Sequence, residues 1–204
     1  MDTTSLKQVP GYIYNEYLLV LRPHEDLSNR IMFIKNQFAE KYKSNKPIAS
    51  HPHVAMVNFI QFEMMEERLI NRLRTIAISL YPINIELKDF GSFPSHTIFI
   101  RVDSQLQVRN LNKKLKEGQQ IMNLNKEYKA HFMEMPYVPV ATKLLHWQYD
   151  SAWKEYYSLS FSGRFVVDSI LLMKRKIGEK RFQIVQGFAF LNLPLASKQG
   201  ELFI

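Results

Sequence analysis

Two short stretches pair a proline with a side chain able to move a proton: His51-Pro52-His53-Val54-Ala55-Met56, and Pro136-Tyr137-Val138-Pro139-Val140. An imidazole titrates near neutrality and can take or give a proton, whereas a phenol with a pKa near ~10 can donate one but is a poor base. On a strand alternate residues share a face, so His53, Ala55, Val57 and Phe59 point together, as do Tyr137, Pro139 and Ala141. If both strands face one cleft, its polar groups are His53 and Tyr137. His51 reads as a loop residue. His96 begins a strand and His131 precedes the second stretch. Both read first as surface or packed histidines, although His131 would approach such a cleft if its strand paired beside the run Tyr137 to Leu144.

These residues need elements to position them. The run Tyr12 to Pro23 is a buried strand, and Leu27, Ile31, Ile34, Phe38 and Tyr42 form the apolar face of a following helix. The lysine-rich, proline-ended segment after Tyr42 breaks it. A second strand begins at His53. Met65, Leu69, Leu73, Ile76 and Leu80 then mark a helix ended by Pro82. Residues 83–93 and 95–102 read as strands, and a helix from Ser104 ends at Gly118, where a glycine suits a left-handed cap. A short strand around His131, the strand from Tyr137, a helix over residues 150–161, a strand over 164–175 and a strand over 181–193 complete the chain. The last two form a hairpin about Gly178. The stripe of Trp147, Trp153, Tyr156 and Tyr157 reads as core and cleft wall rather than as a base-stacking platform. The two proline-led strands, each leading into an amphipathic helix, form an internal echo of the kind that packs about a pseudo-two-fold axis.

The chain has 204 residues, 46% of them apolar, enough to bury one sizeable core, so residues 1–204 are expected to form a single bilobal α+β domain. It has no cysteine, which excludes disulfides, zinc-thiolate sites and thiol nucleophiles. Its formal charge of +8 favours an anionic partner, either nucleic acid or a phosphorylated small molecule. The cations cluster at Lys113, Lys114 and Lys116, and again at Lys174, Arg175, Lys176, Lys180 and Arg181 around the hairpin turn. No run approaches the ~18 apolar residues that span a bilayer, and the N-terminus lacks the order of a signal peptide. The expectation is a cytoplasmic protein with no membrane partner.

Over nearly its whole length the order of elements resembles the 2H phosphoesterase superfamily, the 2'-5' RNA ligase-like and cyclic phosphodiesterase proteins. The resemblance implies two His-x-Thr/Ser motifs in a central groove, one per lobe. One imidazole acts as general base and the other as general acid on a phosphodiester, the hydroxyls hold phosphate oxygens, and neither metal nor cofactor is needed. The motifs map onto His53-Val54-Ala55 and Tyr137-Val138-Pro139. Three of the four motif side chains are therefore changed, with Ala55 and Pro139 standing where the hydroxyls would be. The resulting expectation is a decayed site that binds a nucleotide or RNA phosphate with little or no turnover, with Lys174 and Lys176 among the substrate-binding residues. An active phosphodiesterase or ligase-like enzyme using His53 with Tyr137 or His131, and a protein-interaction module, are the alternatives.

Overall fold

The computed structural model describes residues 10–44 and 51–193. The expected strand forms β1 (Tyr14–Leu21), whose aromatic and branched residues are buried almost throughout. Helix α1 (Glu25–Lys41) follows. His24 caps it, with Nδ1 accepting from the Leu27 N–H at 3.4 Å, and Glu25 and Asp26 complement the positive end of its dipole. Then come β2 (Val54–Phe62), α2 (Glu66–Ile78), β3 (Ile83–Phe93), β4 (Thr97–Val102) and α3 (Gln105–Leu115). A one-turn helix α4 (Gln119–Met122), the two-residue β5 (His131–Phe132), β6 (Tyr137–Ala141) and α5 (His146–Tyr156) come next. The chain closes with β7 (Ser162–Val167), β8 (Ser169–Lys176) and β9 (Gln183–Ala189).

The strands build two antiparallel sheets, one in the order β5-β2-β1-β8-β9 and the other β6-β4-β3-β7. Apart from β5 the two orders match strand for strand. The units β1-α1-β2-α2 and β4-α3-β6-α5 repeat one connectivity, with α4 and β5 inserted in the second. This is the internal echo of the two proline-led strands. β2 and β6 each end their matching set, and their α-carbons approach within 8 Å of one another. Buried side chains of both sheets and of the four longer helices belong to one apolar core. No helix among the described residues is long and apolar enough to cross a membrane.

Three expectations are corrected. The run 164–175 is not one strand: it breaks at Asp168, and β7 pairs with β3 in one sheet while β8 pairs with β1 in the other. The buried residues show why, since Phe165 and Val167 are followed by Ile170 and Leu172, a slip of one residue in the period of two. Gly118 does not cap α3 in a left-handed conformation; its φ is −95°. Its value is spatial, because a Cβ there would lie 3.1 Å from the Met122 methyl and 3.2 Å from Ile76 Cδ1. The last helix begins at His146 rather than near residue 150 and leaves Trp147 and Tyr157 exposed, while Tyr156 packs in the core against Phe38 and Phe90. The lysine-rich break after Tyr42 lies partly outside the described residues.

Candidate functional site

His53 stands at the entrance to β2. Its Nδ1 is 3.0 Å from the His51 carbonyl oxygen, which can only accept, so Nδ1 carries the proton and Nε2 keeps its lone pair. Burial disfavours the imidazolium, the His51 carbonyl favours it, and the charges of Lys35 and Arg22 oppose it. The balance holds His53 below its ordinary value. A neutral imidazole with a free Nε2 can accept a proton.

Register decides what shares its face, and it corrects the expected set: the pairing shifts between Leu19 and Val20, so Val57 and Phe59, opposite Leu19 and Tyr17, face away from Ala55. Val20 lies opposite Ala55, Leu18 opposite both Asn58 and Met173, and Glu16 opposite Arg175. Residues directly opposite share a face, so the His53 side of this sheet carries Ala55, Asn58, Glu16, Leu18, Val20, Arg22, Met173 and Arg175. A cavity of about 310 Å³ opens there, with Leu18, Val20, Met173, Phe182 and Ile184 as its apolar walls and His51, His53, Arg22, Arg175, Lys180 and Arg181 as its polar groups. No carboxylate among the described residues lines it. Arg175 is already committed, pairing with Glu16 through Nη2 at 2.6 Å and lying 4.4 Å from the Phe182 ring. Asn58 donates to the other Glu16 oxygen at 2.9 Å. Arg22, Lys180 and Arg181 have no ion-pair partner among the described residues.

The other half-site is built differently. Tyr137 and Pro139 lie opposite Arg101 and Phe99 on β4. The Tyr137 ring packs 4.8 Å from Phe99 and 5.2 Å from Phe93, edge-on to the latter. Gly91 makes room for this cluster, since a Cβ there would sit 2.6 Å from the Phe99 ring. Burial pushes the Tyr137 phenol above its ordinary range, which keeps it protonated at neutral pH and useless as a base. Pro139 offers neither hydroxyl nor N–H. His96 lies at the edge of this cluster, with its ring 6.3 Å from Phe93 and Nδ1 2.6 Å from the Thr97 hydroxyl.

Other expected residues fall elsewhere. His51 is exposed in the segment before β2, outside any strand or helix, and lines the cavity. β5 pairs with β2 and not with β6, so His131 sits opposite Asn58 in the His53 sheet. Asn58 is five residues beyond His53, roughly 15 Å along a strand rising ~3.3 Å per residue. One phosphate with its hydrogen bonds spans only about 6–8 Å. Lys174 and Lys176 lie opposite Tyr17 and Asn15, on the face of β8 away from His53. Lys174 is held there by Glu66 at 2.7 Å and Glu63 at 3.6 Å. Strand alternation alone makes Arg175, between them, the cavity residue. Arg22, at the end of β1, escapes a sequence reading because a lone arginine before a proline carries no periodic signal. A larger cleft of about 750 Å³ between α1, β3 and β7 mixes Asp26, Glu86 and Asp89 with Arg30, Lys88 and Arg164, so its charges largely cancel.

Known proteins with this architecture share its fold at low identity. E. coli LigT crystallised with 3'-AMP superposes with a TM-score of 0.55 at 13% identity, covering 87% of this chain and 98% of that one. TT0787 of Thermus thermophilus gives 0.58 at 12% identity, over 86% and 98% of the two chains. The LigT structure with phosphate gives 0.57 at 12% identity, over 87% and 98%. No curated protein matches by sequence. The model of the 2'-5' RNA ligase superfamily matches residues 23–179, which include both proline-led strands and parts of both sheets, and the chain belongs to that superfamily.

Proposed function

We propose that the His53 cavity binds the phosphate of a nucleotide or of an RNA end, and that the protein turns this ligand over slowly or not at all. The observation that carries the reading is the asymmetry between the half-sites. One keeps a neutral imidazole among Arg22, Lys180 and Arg181 with no lining carboxylate among the described residues. The other presents Tyr137 among phenylalanines. Binding a phosphate needs only donors and positive charge, whereas opening a phosphodiester in line needs a base for the entering oxygen and an acid for the leaving one, each contributing about 10²–10⁴-fold. His53 can fill the first role. The second half-site places Tyr137, not an imidazole, at the motif position for the other: His51 belongs to the same segment as His53, His131 on β5 is roughly 15 Å away by strand rise, and His96 sits at the edge of the Phe93 cluster with its Nδ1 on the Thr97 hydroxyl. E. coli LigT has been crystallised with 3'-AMP and with phosphate, which supports the ligand class.

Incubation with 2',3'-cyclic nucleotides and 2'-5'-linked oligonucleotides, alongside calorimetric titration with nucleotides, tests this. The expected result is binding with turnover near background. Turnover at ordinary enzyme rates that His53→Ala abolishes would overturn the low-turnover part, and the absence of any phosphate binding would overturn the whole.

A further inference from the structure

The middle of α1 holds a lysine where the helix's own periodicity calls for an apolar residue. Leu27, Ile31 and Phe38 are buried along one stripe, and Lys35, four residues after Ile31 and three before Phe38, occupies the same stripe at 7% exposure. Lysines this buried are ordinarily paired. Lys35 has no hydrogen-bond or ion-pair partner among the described residues. Burial accordingly pulls its ammonium below the ordinary lysine range.

Its place in the fold explains why such a group is worth keeping. α1 packs against β6, β6 approaches β2, and the charge of Lys35 acts on the His53 imidazole together with that of Arg22. Lys35 therefore lies on the helix that packs at the approach of β6 to β2 and within electrostatic reach of His53, outside the set of residues that line the cavity. The cavity's cations with no carboxylate partner among the described residues are Arg22, Lys180 and Arg181, and Lys35 adds a further unpaired charge outside the lining, while the motif positions that would offer hydroxyls are Ala55 and Pro139. The loss of neutral donors and the excess of uncompensated positive charge point the same way.

We propose that Lys35 is the specificity-determining residue of this site and makes it select dianionic phosphate monoesters over phosphodiesters. The inference rests on the phosphate-binding reading above and adds the charge class of the ligand. A diester carries one negative charge, and a monoester near neutral pH carries about 1.5 to 2. Rim cations such as Lys180 and Arg181 are exposed and screened, so they attract either ligand with little discrimination. A buried ammonium with nothing to offset it responds to the second charge much more strongly, because the surrounding dielectric is low.

The test is calorimetric titration near pH 7.5 in about 0.15 M salt, with inorganic phosphate and adenosine 3'-monophosphate against dimethyl phosphate and 2',3'-cyclic AMP. In the wild type the monoesters bind about tenfold or more tighter than the diesters. Lys35→Met weakens the monoesters about tenfold and leaves the diesters nearly unchanged, while Lys180→Met weakens both classes by similar factors. Lys35→Gln serves as the second variant, and a melting temperature no lower than wild type certifies the fold of each. Equal affinity of the wild type for the two classes, or an equal effect of Lys35→Met on both, overturns the role of Lys35 while leaving phosphate binding intact. Binding of neither class overturns the phosphate reading and this inference with it.

Discussion

At the scale of single residues the site turns on a neutral imidazole beside two cations. His53 lies below the ordinary 6.5 of a free histidine because of its burial first, and then because of the charges of Lys35 and Arg22 acting against the His51 carbonyl. Removing Lys35 removes a like charge, so the His53 midpoint rises in Lys35→Met, and by a smaller step in Arg22→Met. Proton-carbon NMR of the imidazole Cε1 reads this directly; an unchanged midpoint in Lys35→Met would separate the two side chains. The stability consequence follows in sign. Between the depressed folded midpoint and 6.5 the unfolded chain holds the proton and the folded one does not, so stability is full above 6.5 and declines as pH falls through that window. In Lys35→Met the window narrows and the decline shrinks. His53 was legible in the sequence, since a histidine at the head of an alternating strand announces itself. Lys35 was not. The stripe of α1 can be traced through Ile34 with equal apolar continuity, and only the packed structure shows that Lys35 takes the buried position while Ile34 is half-covered.

At the scale of elements, α1 is the piece that carries Lys35 to the approach of β6 to β2, and both its ends are fastened. Near the N-terminus Leu27 packs where Gly163 of β7 leaves space, for a Cβ at Gly163 would lie 2.7 Å from Leu27 Cδ1 and 3.3 Å from Phe161 Cε1. At the C-terminus the buried Gln148 of α5 donates to the Tyr42 and Lys43 carbonyls at 3.0 and 2.9 Å, satisfying groups that a helix end leaves open. Gly163→Ala should therefore destabilise the fold by about 1–3 kcal/mol in urea unfolding, as overpacking of a filled contact does. Combining it with Leu27→Ala should cost less than the sum of the two single changes. Strict additivity would mean that α1 is not held at this point. The existence and order of the main elements were readable from periodicity, because the apolar stripes of α1, α2 and α3 and the alternation in β3 are strong. The break at Asp168 was not readable from a continuous apolar run, since a strand that changes sheets keeps its composition and alters only its parity. That single break separates Lys174 and Lys176 from Arg175 in meaning, because it is the register of β8 against β1 that sends Arg175 alone to the cavity.

At the scale of the whole molecule the charge of +8 suggests a basic surface for a polyanion, but the fold distributes it unevenly. Lys113 and Lys114 line a different cleft, with Leu80, Tyr81 and Asn110, and Lys174 is spent on Glu66. Sequence alone presents these lysines as equivalent to Lys180 and Arg181, because neither the pairing of a lysine nor the face it occupies is written in composition. What remains at the His53 cavity is the set of Arg22, Lys180 and Arg181, unpaired among the described residues, with the charge of Lys35 acting on His53 from outside the lining. A short single-stranded RNA ending in this cavity therefore meets about three accessible cations, and at ~0.7 counterions per contact its log affinity should fall against log salt with a slope of about −2. Replacing Lys113 and Lys114 by glutamine should leave both affinity and slope unchanged, whereas Lys180→Met with Arg181→Met should bring the slope to about −1 or shallower. Filter binding across a salt series measures both. A wild-type slope near about −5 that the Lys113 and Lys114 changes reduce would mean that RNA runs over the far cleft as well, and that the ligand is a strand rather than an end.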